Sequence, residues 1–588
     1  MTIKNQYWQH LIALLVYFIF SILLTWPLIL NMRTTLFGDY GDTRGTIRAI
    51  WDYINHPFLQ STGQLLAVPF KMSYPPLSIQ PVYELLLEMP ARFIGEIAAY
   101  NLLVVLSFTL TAFVTYLCLN YLLRNKTASF IGGLIFGFCP ASIMQALGGH
   151  LTFSFNIFIP IFIIALLHNR EKRSIQSAFF LGMSFGLLTL TSIYYGYFAI
   201  FIAIYFVFFD YVTIKETERA FVLNYLAAVF FAFIITVIFL YKVLYYQMTA
   251  NKIELAQVGR IRGLAELVAC SARPWEYLLP SVDHPVLGRF IINFTRNHLH
   301  WSNSFEQTLY LGVVPLVFCL IGLYIWRHKD DNKQRGYFLF FIGGFALMLS
   351  LSFPPAVLLG TFKVPAKVSI YLPTSISLLI YFIAPMFRVY ARFGILANFF
   401  LACAAAVVLR ELSQKMTKIR YYVFLILLLP VLIFEYWSIS PDAVHAIDTP
   451  PAVYQWLARQ PGNFIIAEYP MMKTGEAAFY TYVFWQRIHQ KRMVNGATPN
   501  NAAAWNFYQK VKDLSNPETP DLLKSSGVKY IIVHKQMYHD GPIPGPMKRY
   551  YSVEAASEQY NIGIVPANHL LGKPYMEFGD DEVYRLRG

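Results

Sequence analysis

The residues whose types and spacing could do chemistry lie in Phe37-Gly38-Asp39-Tyr40-Gly41-Asp42-Thr43-Arg44. Asp39 and Asp42 each follow a glycine. Gly38 and Gly41 admit a tight turn with positive φ, which would aim both acids at one point. Two acids held this way can take a proton from an attacking hydroxyl or share a metal. Thr43 is the expected N-cap of a helix, on which Arg44, Arg48 and Asp52 recur at four-residue spacing along one face. An ordinary polar juxtamembrane turn has the same composition, so the rest of the chain must decide between the two.

Of the 588 residues, 56% are hydrophobic and only 14% charged, with a mean hydropathy of +0.46. Charged surface is too scarce for a soluble protein of this length. Apolar runs of about twenty residues recur, the mark of a polytopic α-helical membrane protein. The net charge of +14 does not indicate nucleic acid. Basic residues such as Arg124, Lys126, Arg170, Arg173, Arg327 and Arg335 sit in short connections, where they orient spans in a bilayer. Cys118, Cys139, Cys319 and Cys403 lie in apolar runs and Cys270 in a loop, so no disulfide framework or zinc site is expected.

The elements that must position the acids follow from this alternation. A first span at about 11–30 leads to an outer loop, about 31–97, that carries the acidic turn. Spans are expected at about 98–122, 129–147, 151–168, 176–193, 195–213 and 220–246. A second outer loop follows at about 247–307, then spans near 308–326, 336–353 and 392–411. The stretch 371–388, interrupted by Pro373 and Pro385, is expected to turn back as a re-entrant hairpin, which keeps Arg388 and Arg392 outside. The basic loop Arg410 to Arg420 faces inward and the carboxyl terminus outward, which adds one crossing after that loop; the sum is about eleven, amino terminus cytoplasmic, in a cytoplasmic membrane. Residues 1–440 form the membrane domain and 441–588 a small outer α/β domain. In the latter, helix-like Val453–Arg459 and Asp521–Ser525 alternate with strand-like Phe464–Glu468 and Val528–Val533.

Three kinds of group thus share the outer face. Asp39 and Asp42 are the candidate catalytic acids. Arg44, Arg48, Arg388 and Arg392 are candidates to hold a phosphate leaving group. His298, His300 and Trp301, with Trp275, could line a sugar site, to which His150, Tyr195 and Glu306 add polar groups. Each has a plainer alternative: Trp and Tyr near span ends anchor helices at the interface, and Glu306 could cap one. His298 and His300 lack a third ligand at metal spacing.

The pattern resembles the GT-C superfamily of membrane glycosyltransferases, and in texture the bacterial group similar to the YfhO membrane proteins. The likeness rests on Gly38-Asp39-x-x-Asp42, Ala99-Tyr100-Asn101-Leu102, Gly149-His150-Leu151, Ser192-Ile193-Tyr194-Tyr195-Gly196 and Tyr310-Leu311-Gly312. It extends to Ala384–Arg388 with Arg392-Phe393, and to Ser526–His534. The resemblance implies a polyprenyl-phosphate-linked sugar donor and a glycan, lipid or protein acceptor. It also implies a catalytic base or metal ligand at Asp39 or Asp42. A divalent metal, magnesium or manganese, is compatible with such acids and not required by the sequence. The chain departs from oligosaccharyltransferases in lacking a Trp-Trp-Asp acceptor motif, since Trp51-Asp52 has no second Trp before it. The competing expectation is a non-catalytic GT-C-like scaffold, or a lipid or polysaccharide carrier. Spans nearly free of charge argue against an ion-coupled carrier.

Overall fold

A computed structural model describes residues 3–55, 65–70, 80–214, 219–249, 263–300, 303–327, 333–358, 368–371, 376–439, 441–472, 477–497, 501–540, 545–551 and 571–586. Trp301 and Pro373 lie outside the described residues. Apolar runs that meet no water must close their backbone hydrogen bonds internally, so they wind into helices. Among the described residues, eight helices are long and apolar enough to cross a membrane, Glu96–Leu123 and Tyr390–Lys415 among them. Ile175–Thr191 and Val313–Arg327 are shorter apolar helices. The chain is a multi-pass membrane protein.

In chain order the first elements are α1 (Ile3–Leu24), β1 (Thr35–Phe37), α2 (Asp42–Asn55), α3 (Pro81–Ile94), α4 (Glu96–Leu123) and α5 (Lys126–Gly137). Next come α6 (Pro140–Leu147), α7 (Phe158–Lys172), α8 (Ile175–Thr191), α9 (Ile193–Ile214) and α10 (Arg219–Thr249). One expected span is corrected: the first ends at Leu24, not near residue 30, because Pro27 has no N–H with which to continue a helix. The run expected at 129–147 stands as one span-length apolar stretch, Lys126–Leu147, with a turn inside it where α5 stops at Gly137 and Pro140 opens α6. Strands β2 (Ala356–Leu358) and β3 (Val368–Tyr371) form an antiparallel pair ahead of the stretch expected to turn back. The helix within that stretch, Ile376–Ile383, has eight residues. At about 12 Å it is under half the thickness of a hydrocarbon core.

The helix Phe393–Lys415 is central among the apolar helices, buried at every position from Phe393 to Leu409. Its alanines let neighbours approach closely, as at Gly132 of α5, where a Cβ would come within 2.9 Å of the Ala406 Cβ and 2.5 Å of Leu119 Cδ1. Small residues substitute close van der Waals contact for the hydrophobic drive that lipid removes.

Strand β4 (Val444–Ala446) pairs antiparallel with β1, Thr35 opposite Ala446, and so ties the connection after α1 to the C-terminal region. A five-stranded sheet of order β6-β5-β7-β9-β8 follows. Strands β5 (Ile465–Tyr469), β6 (Arg492–Met493) and β7 (Val528–His534) are parallel. Strand β9 (Asp581–Arg585) runs antiparallel to β7 and pairs with β8 (Met576–Phe578). Every residue of β5 is buried, as in a parallel strand covered on both faces. The helices Ala452–Arg459 and Thr519–Ser525 match the two helix-like stretches of the sequence. Between β5 and β6 lies the helix Ala477–His489, which packs on α2.

Candidate active site

The acidic turn is built by backbone contacts that its glycines make room for. Gly38 has φ +126°, where a side chain would also strike Thr43 Oγ1 at 2.4 Å. Gly41, by contrast, is not in the positive-φ region. The Gly38 N–H donates to Ala443 O at 3.0 Å and the Asp39 N–H to Leu147 O at 2.8 Å, joining the turn to the C-terminal region and to the end of α6. Thr43 is not the cap: α2 starts at Asp42, and Asp39 Oδ1 accepts from the Thr43 N–H at 3.2 Å. The carboxylate satisfies a first-turn donor that the helix cannot. Asn101, fully buried in α4, braces the approach by donating to Met32 O at 2.9 Å and Thr35 O at 2.7 Å.

Five charged side chains from separate parts of the chain meet here. Asp42 Oδ2 lies 2.9 Å from His150 Nε2 and Asp42 Oδ1 accepts from the Tyr480 hydroxyl at 2.7 Å. His150 Nδ1 faces Glu306 Oε1 at 3.3 Å, out of hydrogen-bond alignment. Glu306 accepts from Arg392 Nε at 3.2 and 3.1 Å, with a further contact to Nη2, and from Gln145 Nε2 at 2.8 Å. The Arg392 guanidinium lies over the rings of Phe153 at 3.9 Å and Tyr194 at 4.8 Å. The line Asp39, Asp42, His150, Glu306, Arg392 therefore joins the connection after α1 and the connection ending near residue 307 to the central helix.

The environments of the two acids differ. Burial, then the charge of Asp42, pushes Asp39 up to about 7. Burial also works against Asp42, but the hydrogen bond and charge of His150 and the Tyr480 hydroxyl hold it below the usual carboxylate range. For His150, burial is outweighed by the Asp42 hydrogen bond and the Glu306 charge, which raise it. Glu306 is held low against burial by Arg392 and His150. Asp39 is 5% exposed, whereas the Asp42 side chain is 44% exposed. Of the two acids, Asp42 is the one whose carboxylate is open to a partner from solution. An imidazole bridges Asp42 and Glu306, and among the described residues no three of His, Cys, Asp and Glu are arranged to hold a metal ion.

No family model and no curated protein matches the sequence. Solved structures do. The arabinofuranosyltransferase AftD from Mycobacteria superposes on 98% of this chain at 12% identity and a TM-score of 0.51, and this chain covers 41% of that protein. The archaeal oligosaccharyltransferase AglB from Archaeoglobus fulgidus, solved with an inhibitory peptide and a dolichol-phosphate, covers 91% of this chain and 70% of its own at 13% identity and a TM-score of 0.45. The chain has the GT-C fold.

Within this GT-C fold the other candidates are distributed as follows. Arg44 and Arg48 turn to the C-terminal region: Arg44 Nη1 donates to Thr481 Oγ1 at 2.9 Å and lies 4.3 Å over the Tyr40 ring. Arg48 donates to Gln486 Oε1 at 3.1 and 3.0 Å and pairs with Asp52 at 3.2 Å. Arg388 pairs with Glu266. Tyr195 is buried, its hydroxyl on Asn156 and on Phe153 O at 3.2 Å. His300 is enclosed between Ala269 O and Glu276, each at 2.6 Å, and His298 bonds Phe294 O at 2.8 Å. Neither histidine joins the cluster. Glu306 does not cap the following helix, whose first N–H groups, Val313 and Val314, are taken by Glu435. Sequence reasoning missed Tyr480 and Gln145. A signal for Gln145 existed, as a lone polar residue just ahead of Gly148-Gly149-His150; Tyr480 stands in an aromatic helix with none.

Proposed function

We propose that this chain is an inverting membrane glycosyltransferase of hexosyl- or pentosyltransferase class. It moves a sugar from a polyprenyl-phosphate-linked donor to a glycan, lipid or protein acceptor. The reading has the site on the outer face of the cytoplasmic membrane, with the amino terminus inside and residues 441–588 outside. It takes about eleven crossings, with 371–388 turning back in the outer leaflet. The observation that supports it is the contact line from Asp42 through His150 and Glu306 to Arg392, with Asp39 buried beside a half-exposed Asp42, in a chain with a GT-C fold. Environments that push two neighbouring carboxyl groups apart assign them different work.

Asp42 is the base. The acceptor hydroxyl attacks the anomeric carbon and its proton passes to an Asp42 oxygen. The anomeric C–O bond to phosphate breaks, and polyprenyl phosphate leaves with the electron pair. Attack from the face opposite the phosphate inverts the anomeric centre. Asp39, buried and bonded to the Thr43 N–H, fixes the first turn of α2 and does not touch the acceptor. Glu306 takes the Nε–Nη2 edge of Arg392, which leaves the Nη1 edge to turn to the leaving phosphate. Arg388 is the second cation of that end.

The test is transfer in reconstituted vesicles given polyprenyl phosphates that each carry one labelled sugar, with an envelope extract as acceptor. Release of polyprenyl phosphate in step with labelled product is the expected result. Neither binding nor turnover of any donor would contradict the reading and favour a non-catalytic scaffold.

A further inference from the structure

The C-terminal region reaches the Asp42 carboxylate through Tyr480, whose hydroxyl donates to Asp42 Oδ1 at 2.7 Å. Its ring lies across the first turns of α2. A Cβ on Gly45 would sit 2.7 Å from Tyr480 Cε1 and 2.8 Å from Cδ1, and one on Gly41 would sit 3.7 Å from Cδ2. Glycine inside a helix weakens it, so Gly45 gives up helix stability to admit the ring. The helix that carries Tyr480 is pinned along its length. Thr481 Oγ1 accepts from Arg44, Gln486 Oε1 accepts from Arg48, and Arg487 pairs with Glu96 at the start of α4. Strand β4, paired with β1, holds the same region from the other side.

Asp42 thus has one fixed partner on each oxygen, His150 on Oδ2 and Tyr480 on Oδ1. A carboxylate oxygen offers about two lone-pair sites, so each keeps one for another donor. Two fixed partners on opposite oxygens set the plane in which those free lone pairs point. We propose that Tyr480, supplied by the C-terminal domain, is a positioning residue of the transfer reaction, orienting the Asp42 carboxylate toward the acceptor hydroxyl. The inference rests on Asp42 as base. It makes the domain a working part of the site and not a cover over it. A hydroxyl donated to the charged form also favours that form, in line with the low Asp42.

The experiment compares the intact chain with Tyr480→Phe, which keeps the ring against Gly45 and removes only the hydroxyl. Loss of a hydrogen bond to a charged group should lower kcat about tenfold or more, with the donor KM unchanged. The acid limb of the pH profile should move up by about one unit, because ionised Asp42 is then less favoured. 3-Fluorotyrosine in place of Tyr480, a stronger donor, should move the limb down. Thr481→Val, which removes an interface contact without touching Asp42, should leave the limb where it is, separating positioning from domain docking. Unchanged kcat and limb in Tyr480→Phe, with Asp42→Asn inactive, would overturn the inference and leave the function standing. Full activity in Asp42→Asn would overturn both. If the intact protein transfers no sugar, infrared titration of the Asp42 carboxylate decides: its midpoint rises in Tyr480→Phe, and an unmoved midpoint rejects the contact.

Discussion

Replacing Gly149 with alanine would put a methyl group where the hairpin carrying His150 crosses the start of α2. Gly149 has φ +78°, and a Cβ there would lie 2.4 Å from the Thr43 N and 2.8 Å from the Asp42 carbonyl carbon. Ordinary contact begins near 3.5 Å, so the hairpin must recede by about 1 Å. The atoms it meets are backbone and cannot rotate away. The His150–Asp42 contact of 2.9 Å would open to about 3.9 Å, outside hydrogen-bond range. A displacement of that size at a reacting centre costs roughly a hundredfold in rate. The strain of a positive φ adds about 1–3 kcal/mol of stability loss. Gly95→Ala separates the two effects, because Gly95 has φ +87° but nothing within 4 Å of its Cβ. Both variants should lose thermal stability in detergent, Gly149→Ala the more because of its backbone clash, and only Gly149→Ala should lose transfer. Gly149→Ala activity within about threefold of the intact chain would refute the reasoning.

Two further outcomes follow from the charge network. Glu306→Gln removes one of the two carboxylates that hold His150 raised, so the His150 midpoint should fall in a ring-nitrogen NMR titration, and an unmoved midpoint would contradict the bridge. At the five-stranded sheet, His534 Nδ1 meets Asp581 Oδ1 at 2.8 Å and Nε2 meets Glu468 Oε2 at 3.0 Å. Burial pulls this imidazole down, yet the two hydrogen bonds carry it up to about 9. Because the folded value lies above the unfolded value of about 6.5, the stabilisation is complete below about pH 6.5 and is lost as pH rises through about 9. Its size is on the order of 3 kcal/mol. Amide exchange in β5 and β7 should accelerate between pH 6.5 and 9.5, and His534→Gln should abolish that dependence; a flat profile in the intact chain would reject it.

Much of the site was legible because its residues are polar exceptions in an apolar chain. Asp39 and Asp42, His150, Glu306 and Arg392 all stand in or beside the connections between spans, and the structure brings these five together. What local spacing could not supply was partner choice across hundreds of residues. Arg44 and Arg48 look like phosphate ligands from their spacing, yet their guanidinium groups bond Thr481 and Gln486. His298 and His300 look like a binding pair because they are close in sequence, yet each bonds within its own loop region. The cap of α2 was misassigned to Thr43 for a related reason: a carboxylate outside the helix competes for the same N–H, and only the turn geometry decides between them. In the fold, hydropathy located apolar runs well but could not separate a straight span from the broken α5–α6 pair, which differs by one proline. The parallel strands β5 and β7 were legible as apolar runs, while their order in the sheet was not.

The most direct test of the central claim is the initial rate of sugar transfer for the intact chain, Asp42→Asn and Asp39→Asn, at matched expression and thermal stability. A positioned base contributes roughly 10²–10⁴-fold, so Asp42→Asn should lose that much while Asp39→Asn keeps measurable turnover. Transfer by Asp42→Asn at the rate of the intact chain would contradict the account.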